Sequence, residues 1–497
     1  MTRRALLLGL VGLTILRLAW IGRLEFSPDE AYYLLWSERL DLAYYSKGPG
    51  IALLLRGVTS LLGTSEFAVR IPAPLLALAT TILLFMLARR LFDEGTAVAA
   101  AVALQVMPIF NAGALLMTID PLSIVLWLAT LVLAWEALRR GSLAWWSFAG
   151  LACGAGILCK YTNALVLAGI TLAVLLSPER RRHARGLIVM SLLATLATLP
   201  ALIWNARHGW VTLTHLVERG ALDRGAWLRP KESLEFMAVH FGTWSPLIFA
   251  AILAALPAAF RRARTDAGPR LLLAASGPIL LMYAVLALHE AGEPNWTAPG
   301  ILCLLPIAVA HWLPRIAASR AARNLAIVAI AVGATLSIAI VDTDIVRSAG
   351  IALPARSDPS TRLRGWTATA NEVAQLRRTI ERAEGDPILL VANHYGVASE
   401  LAYYLPRAPI AAAGHPSVYV VPTAEPRNQF WFWPGLGDIP ATFSGRSALF
   451  VTDRAQPPPD AMQDLFEGRC EPLDPIAIER GNDVLRTIRP WICRGLR

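Results

Sequence analysis

Apolar residues gather into long blocks along this chain, and polar residues are confined to the gaps between them. Eleven apolar blocks fall near residues 5–23, 71–88, 96–113, 119–135, 143–159, 162–177, 187–204, 243–260, 271–288, 297–313 and 324–341. Many reach the roughly 18–20 residues that cross a bilayer as a helix. A shorter stretch, 51–62, reads as interfacial. The first block follows Met1-Thr2-Arg3-Arg4 with no small-residue cleavage site after it, which predicts a retained membrane helix rather than a signal peptide. From about residue 342 the blocks stop. Residues 367–384 carry the period of an amphipathic helix, and PILLVAN, SVYVV and SALFVTD read as short buried strands. The expectation is an α-helical polytopic membrane protein with about eleven transmembrane helices over residues 1–341, and a C-terminal extracytoplasmic α/β domain over 342–497.

Composition agrees with the pattern. Of the 497 residues, 55% are hydrophobic and only 16% charged, too little charge to cover a soluble domain of this size. The net charge of +10 is not a nucleic-acid footprint, because the basic residues sit in short clusters between apolar blocks. With the N-terminus inside, the inner segments carry Arg3, Arg4, Arg89, Arg90, Arg139, Arg140, Arg180, Arg181, Arg182, Arg185, Arg261, Arg262, Arg264, Arg270, Arg315, Arg320 and Arg323. The outer loops are more than twice as long and carry fewer, as the positive-inside rule requires. This orientation also puts the long, chemically varied loops 24–70, 205–242 and 289–296 on the outer face.

Candidate chemistry concentrates at those outer helix ends. Ser27-Pro28-Asp29-Glu30 has the form of a helix start with a capping box. That accounts for Ser27, Pro28 and Glu30, and less fully for Asp29, which alternatively is a carboxylate at the membrane surface able to act as a general base. Lys47, in Tyr44-Tyr45-Ser46-Lys47-Gly48-Pro49-Gly50, is one of only three lysines in the chain. It reads either as a snorkelling interfacial cation or as a phosphate contact. Asp120, before Pro121, is either a helix cap or an acid facing a cavity. Lys160 sits in a turn between two apolar blocks that leave almost no loop. His289, Glu290, Glu293, Asn295 and Trp296 form another outer turn, where Trp296 reads as a belt anchor and, alternatively, Asn295 and Glu293 bind sugar hydroxyls. Cys153, Cys159 and Cys303 lie in apolar blocks. Cys470 and Cys493 lie in the polar C-terminal region, where they form a disulfide if that region is outside. Few ionisable groups lie inside the blocks, which favours a surface active site over the midplane site of a secondary transporter.

The order of DEAYYLLW, YYSKGPG, EFAVRIPAPL, LLMTIDPLS and GILCKYT, followed by EPNWTAP and RNQFWFW at 427–433, resembles the bacterial branch of the protein O-mannosyltransferase and aminoarabinose–lipid A transferase superfamily. It is similar especially to members that decorate lipopolysaccharide, such as galacturonosyl transferases. The resemblance implies a GT-C fold and transfer of a sugar from a polyprenyl-phosphate donor lipid to an envelope glycolipid or glycan acceptor, with inversion. The site would lie at the outer face of a bacterial inner membrane. It implies Asp29 as catalytic carboxylate and Asp120 as a second acid. Lys47, Lys160 and Arg219 would contact the donor phosphate, and Glu30, Tyr33, Tyr45, His289, Glu293, Asn295 and Trp296 would bind substrate. In the aminoarabinose transferases an acidic residue linked to a metal precedes the lysine. Here that position is Ser46, so no metal site is predicted and no cofactor follows from the sequence. A lipid-linked sugar flippase and a non-catalytic envelope-assembly protein are the alternatives.

Overall fold

The computed structural model describes every residue except 1, 220–227, 352, 356–357 and 482, and leaves the side chain of Arg219 outside the description. The chain divides into two units: Met1–Ile21, Asp41–Leu54 and Phe67–Asp342 in the first, and Gly22–Leu40, Leu55–Glu66 and Thr343–Arg497 in the second.

The first unit is helical throughout. Among the described residues six helices are long and apolar enough to cross a membrane: Glu66–Leu91, Ile119–Arg140, Pro246–Ala263, Ala267–Leu286, Pro294–Ala318 and Arg320–Val341. The pair Arg180–Ala197 and Leu199–Arg207, bent by 50°, makes a seventh if taken as one span. The other apolar blocks are helices as well, but shorter or more charged. Leu143–Cys159 has 17 residues, and Arg3–Trp20 carries Arg3, Arg4 and Arg17. Their outward faces are apolar: Leu8 and Leu16 are 66% and 67% exposed. Such a surface is stable in lipid and not in water, where large exposed apolar patches drive association.

The block at 96–113 is not one continuous helix. It breaks between Glu94–Gln105 and Pro108–Gly113. Pro108 has no N–H to continue the ladder and disfavours a helical conformation in the residue before it. The Gln105 carbonyl at the break accepts from the Asn111 side-chain amide at 2.8 Å, and the Met107 carbonyl, which already accepts the Asn111 backbone N–H at 3.1 Å, takes a second bond from the same amide at 3.1 Å. Unsatisfied backbone at this depth is costly, and a single asparagine relieves it.

The second unit is α/β. β1 (Leu389–Ala392), β2 (Tyr419–Val420), β3 (Ala448–Thr452), β4 (Glu471–Pro472), β5 (Ile476–Arg480) and β6 (Asp483–Cys493) form a sheet of order β2-β1-β3-β6-β4, with β5 paired to β6. β1 runs parallel to β2 and β3, while β6 is antiparallel to β3, Phe450 facing Trp491. The first three strands are the three apolar segments read from sequence. β4 to β6 carry too many polar positions to announce themselves. The helix expected over 367–384 spans Trp366–Glu384. Segments 22–40 and 55–66 of the first long loop also pack within this unit.

Cys470 and Cys493 form a disulfide across the β4–β6 edge, closing a separation of 23 residues. A loop of that size restricts the unfolded chain by about 3 kcal/mol. Reduction, or Cys470→Ser, is expected to lower the unfolding midpoint of the second unit by several degrees in a thermal scan. An unchanged midpoint in reductant would show that the bridge carries no stability.

Candidate functional site

In the first unit three chemically active side chains from distant segments meet. Thr118 caps helix Ile119–Arg140, its hydroxyl accepting from the Asp120 N–H at 3.4 Å, so Asp120 stands in the first turn, as its place before Pro121 suggested. Helix Leu143–Cys159 ends at Lys160, whose extended backbone turns the chain into Tyr161–Asn163. Lys160 Nζ donates to Asp120 Oδ1 at 2.7 Å, and Asn295 Nδ2 donates to Asp120 Oδ2 at 2.7 Å. The Asp120 and Lys160 side chains are 17% and 9% exposed. Close by, Ser123 and Asn163 exchange hydrogen bonds at 3.0 and 3.1 Å and tie the Tyr161–Asn163 turn to helix Ile119–Arg140.

The Lys47 turn is seated directly on this end of the bundle. Tyr44 and Lys47 exchange backbone hydrogen bonds at 2.9 and 3.3 Å, closing a tight turn. A Cβ at Gly48 would strike the backbone of Leu158, and one at Gly50 would strike Cys159 Sγ. Glycine is therefore what lets the turn lie against the residues that immediately precede Lys160. Gly48→Ala is expected to push the turn outward and cost about 1–3 kcal/mol, as overpacking does. A thermal midpoint equal to wild type would refute that seating. The carbonyl of Tyr45 accepts from Thr212 Oγ1 at 3.0 Å, and the Tyr45 ring lies 4.6 Å from that of His215. Asp41 accepts from Trp204 Nε1 at 2.8 Å. In the 289–296 turn Trp296 packs on Tyr283 with centroids 5.3 Å apart, Glu293 is exposed and His289 is buried. The Arg219 side chain lies outside the described residues.

Asp29 lies in the second unit. Both halves of the capping box are present: Ser27 N–H and hydroxyl donate to Glu30 Oε2 at 3.0 and 3.1 Å, and Ser27 Oγ accepts from the Glu30 N–H. Glu30 is fully buried in that role, and Tyr33 is buried beside Tyr32 and Trp36. Asp29, one residue away, is exposed and accepts from the Tyr395 hydroxyl at 3.3 Å. Tyr395 begins helix Tyr395–Tyr404 at the carboxyl end of β1, and Pro28 lies so close to Gly396 that a side chain there would meet it. His394, which caps that helix, has its imidazole pushed below the usual histidine range by burial and then by Arg454. RNQFWFW packs on the same element, the Gln429 N–H donating to the Tyr32 hydroxyl with Phe430 stacked on the Tyr32 ring. The two motifs are almost 400 residues apart in sequence, and nothing local in either announces the contact.

Among the described residues no group of three or more His, Cys, Asp or Glu side chains could hold a metal ion.

A family model described as dolichyl-phosphate-mannose-protein mannosyltransferase matches residues 46–204. The chain is 31% identical over 324 residues to the lipid A galacturonosyltransferase RgtD of Rhizobium johnstonii, a match covering 63% of this chain and 66% of that protein. It is 28% identical over 308 residues to the undecaprenyl phosphate-alpha-4-amino-4-deoxy-L-arabinose arabinosyl transferase of Pseudomonas aeruginosa strain LESB58, covering 57% of this chain and 54% of that one. The chain thus spans somewhat under two thirds of the length of these relatives. Among solved structures, ArnT from Cupriavidus metallidurans bound to undecaprenyl phosphate superposes with a TM-score of 0.62 at 16% identity, over 99% of this chain and 98% of that one. The chain thus has the GT-C-type fold of ArnT, and over part of its length it is similar in sequence to the protein mannosyltransferases and to lipid A glycosyltransferases.

Proposed function

We propose that this protein transfers a sugar from a polyprenyl-phosphate donor to a lipid or glycan acceptor of the cell envelope, at the outer face of the inner membrane. The observation that carries the reading is the seating of the Lys47 turn against the chain end that presents Lys160, Asp120 and Asn295. The turn that carries Lys47, one of the three lysines in the sequence, is thereby packed against the residues just before a second one, Lys160. The relatives' printed activities, lipid A galacturonosyl transfer and aminoarabinose transfer from undecaprenyl phosphate, support the reaction class.

A polyprenyl phosphate is already a competent leaving group, and a cation stabilises the charge that develops on it. Lys47 takes that role. Asp120 is bound on both oxygens and holds the Lys160 ammonium and the Asn295 amide in fixed positions, so its part is to orient the cluster. Asp29 accepts the proton of the incoming hydroxyl as that oxygen attacks the anomeric carbon and the phosphate departs. A single displacement inverts that carbon. The Cys470–Cys493 disulfide supports an oxidising, extracytoplasmic setting for the second unit. The arginine-rich segments support a cytoplasmic N-terminus.

The direct test is mass spectrometry of envelope glycolipids from cells with and without the protein. A species one sugar lighter on deletion, restored by the wild-type gene and not by Lys47→Met, is the expected result. Glycolipids of identical mass in the two strains would argue for transport or assembly instead.

A further inference from the structure

Helix Arg3–Trp20 buries one stripe, formed by Leu6, Leu10, Thr14 and Arg17. Leu6 and Leu10 pack against Ala101, Leu78, Phe85, Val98 and Val102, as a membrane helix should. The stripe then ends in a guanidinium that is only 6% exposed. Arg17 lies 14 residues beyond Arg3. At about 1.5 Å per residue it is roughly 21 Å along the helix, inside a hydrocarbon layer about 30 Å thick.

Its surroundings are polar but carry no charge. Arg17 Nη2 donates to Asn111 Oδ1 at 2.7 Å and Gln105 Oε1 at 3.2 Å, and its Cζ stands 5.5 Å from the Phe110 ring centroid. Both amides are locked with their oxygens toward Arg17. Asn111 Nδ2 is committed to the Gln105 and Met107 carbonyls, and Gln105 Nε2 to Thr81 Oγ1 and the Ala101 carbonyl. Among the described residues no carboxylate pairs with Arg17. The Nε and Nη1 donors make no hydrogen bond there and are not among the fully enclosed polar atoms.

A cation at this depth is expensive without a counter-charge, and such residues face a partner or a water-filled path. The protein supplies acceptors for Nη2 and leaves the Nε and Nη1 donors open. Guanidinium N–H groups make short, charge-assisted bonds to phosphate oxygens. The medium beside a membrane helix is lipid, so the anion at hand is a lipid phosphate. We infer that Arg17, oriented by Gln105 and Asn111 at the helix break, binds the phosphate of a membrane lipid, either a polyprenyl phosphate or a phospholipid headgroup. This assignment is independent of the transfer reaction proposed above, because none of these residues belongs to the Asp29 or Lys160 clusters.

The test is native mass spectrometry of the full-length protein in detergent, with extracted lipids quantified by phosphorus content. Wild type is expected to retain about one phosphate-bearing lipid through delipidation, and Arg17→Gln to lose at least tenfold of that occupancy, with Arg17→Lys between them. Gln105→Glu keeps the test open if Arg17→Gln does not fold. It puts a protein carboxylate at the position now held by a neutral oxygen 3.2 Å from Arg17, and is expected to displace the lipid without lowering the unfolding midpoint. Nanodiscs doped with undecaprenyl phosphate or with phosphatidylglycerol then identify the source, with inorganic phosphate as the free-anion arm. Wild-type protein without a retained lipid phosphate, protection by inorganic phosphate alone, or equal retention in the folded variants, would overturn the inference.

Discussion

Asp29→Asn is expected to lower sugar transfer by about 10²–10⁴-fold, the range that a positioned general base contributes, while leaving the protein folded. The separation of these two effects comes from local structure. The helix that begins at Pro28 is capped by Ser27 and Glu30, and both sides of that box are made without Asp29. Asp29 is exposed, and asparagine keeps the oxygen that accepts from Tyr395 at 3.3 Å. A substitution of this kind changes stability by no more than about 0.5 kcal/mol. Ser27→Ala is the matched opposite: it removes a cap oxygen and should cost about 1 kcal/mol while sparing the carboxylate. Measuring turnover and thermal midpoint on both variants separates the start of the helix from its chemistry. Wild-type turnover in folded Asp29→Asn would end the assignment of Asp29 as base.

Lys160→Met should be among the most destabilising single changes in the first unit. The ammonium and the Asp120 carboxylate are mostly buried and 2.7 Å apart. Removing one member of such a pair strands the other's charge, which costs about 3–5 kcal/mol, whereas removing both is close to neutral. Asp120→Asn combined with Lys160→Met should therefore recover most of the lost stability, because an asparagine at 120 needs no counter-charge and can still bond Asn295. Unfolding in detergent, followed by near-ultraviolet circular dichroism, measures this. A double variant as unstable as Lys160→Met alone would show that the pair is not the source of the stability. Restored stability without restored turnover is the expected combined outcome, since the fixed charges that orient the cluster are gone.

Sequence and structure divide along a clear line. The apolar blocks, their arginine-rich ends, the capping box at Ser27–Glu30 and the three apolar strands of the second unit are all legible from sequence. Each depends on a period, a cap or a composition contained within some twenty residues. Asp120 and Lys160 stand out individually for the same reason, as ionisable groups at the ends of apolar blocks.

What joins them is not local. Lys160 reaches an acid 40 positions away, Asn295 reaches the same acid across 175, and Gln429 meets Tyr32 across 397. Such contacts depend on how helices and strands pack, and side-chain pattern along one element carries no record of its partner. Glu30 shows the local side: its position predicts a capping box, and the fold makes both halves of that box. The break at Val106–Met107, the polar strands β4 to β6 and the uncompensated charge of Arg17 were decided by tertiary packing. A hydrophobic block reports only that its residues avoid water. Whether one of its members meets lipid, an amide or a counter-ion depends on the neighbour that packing brings.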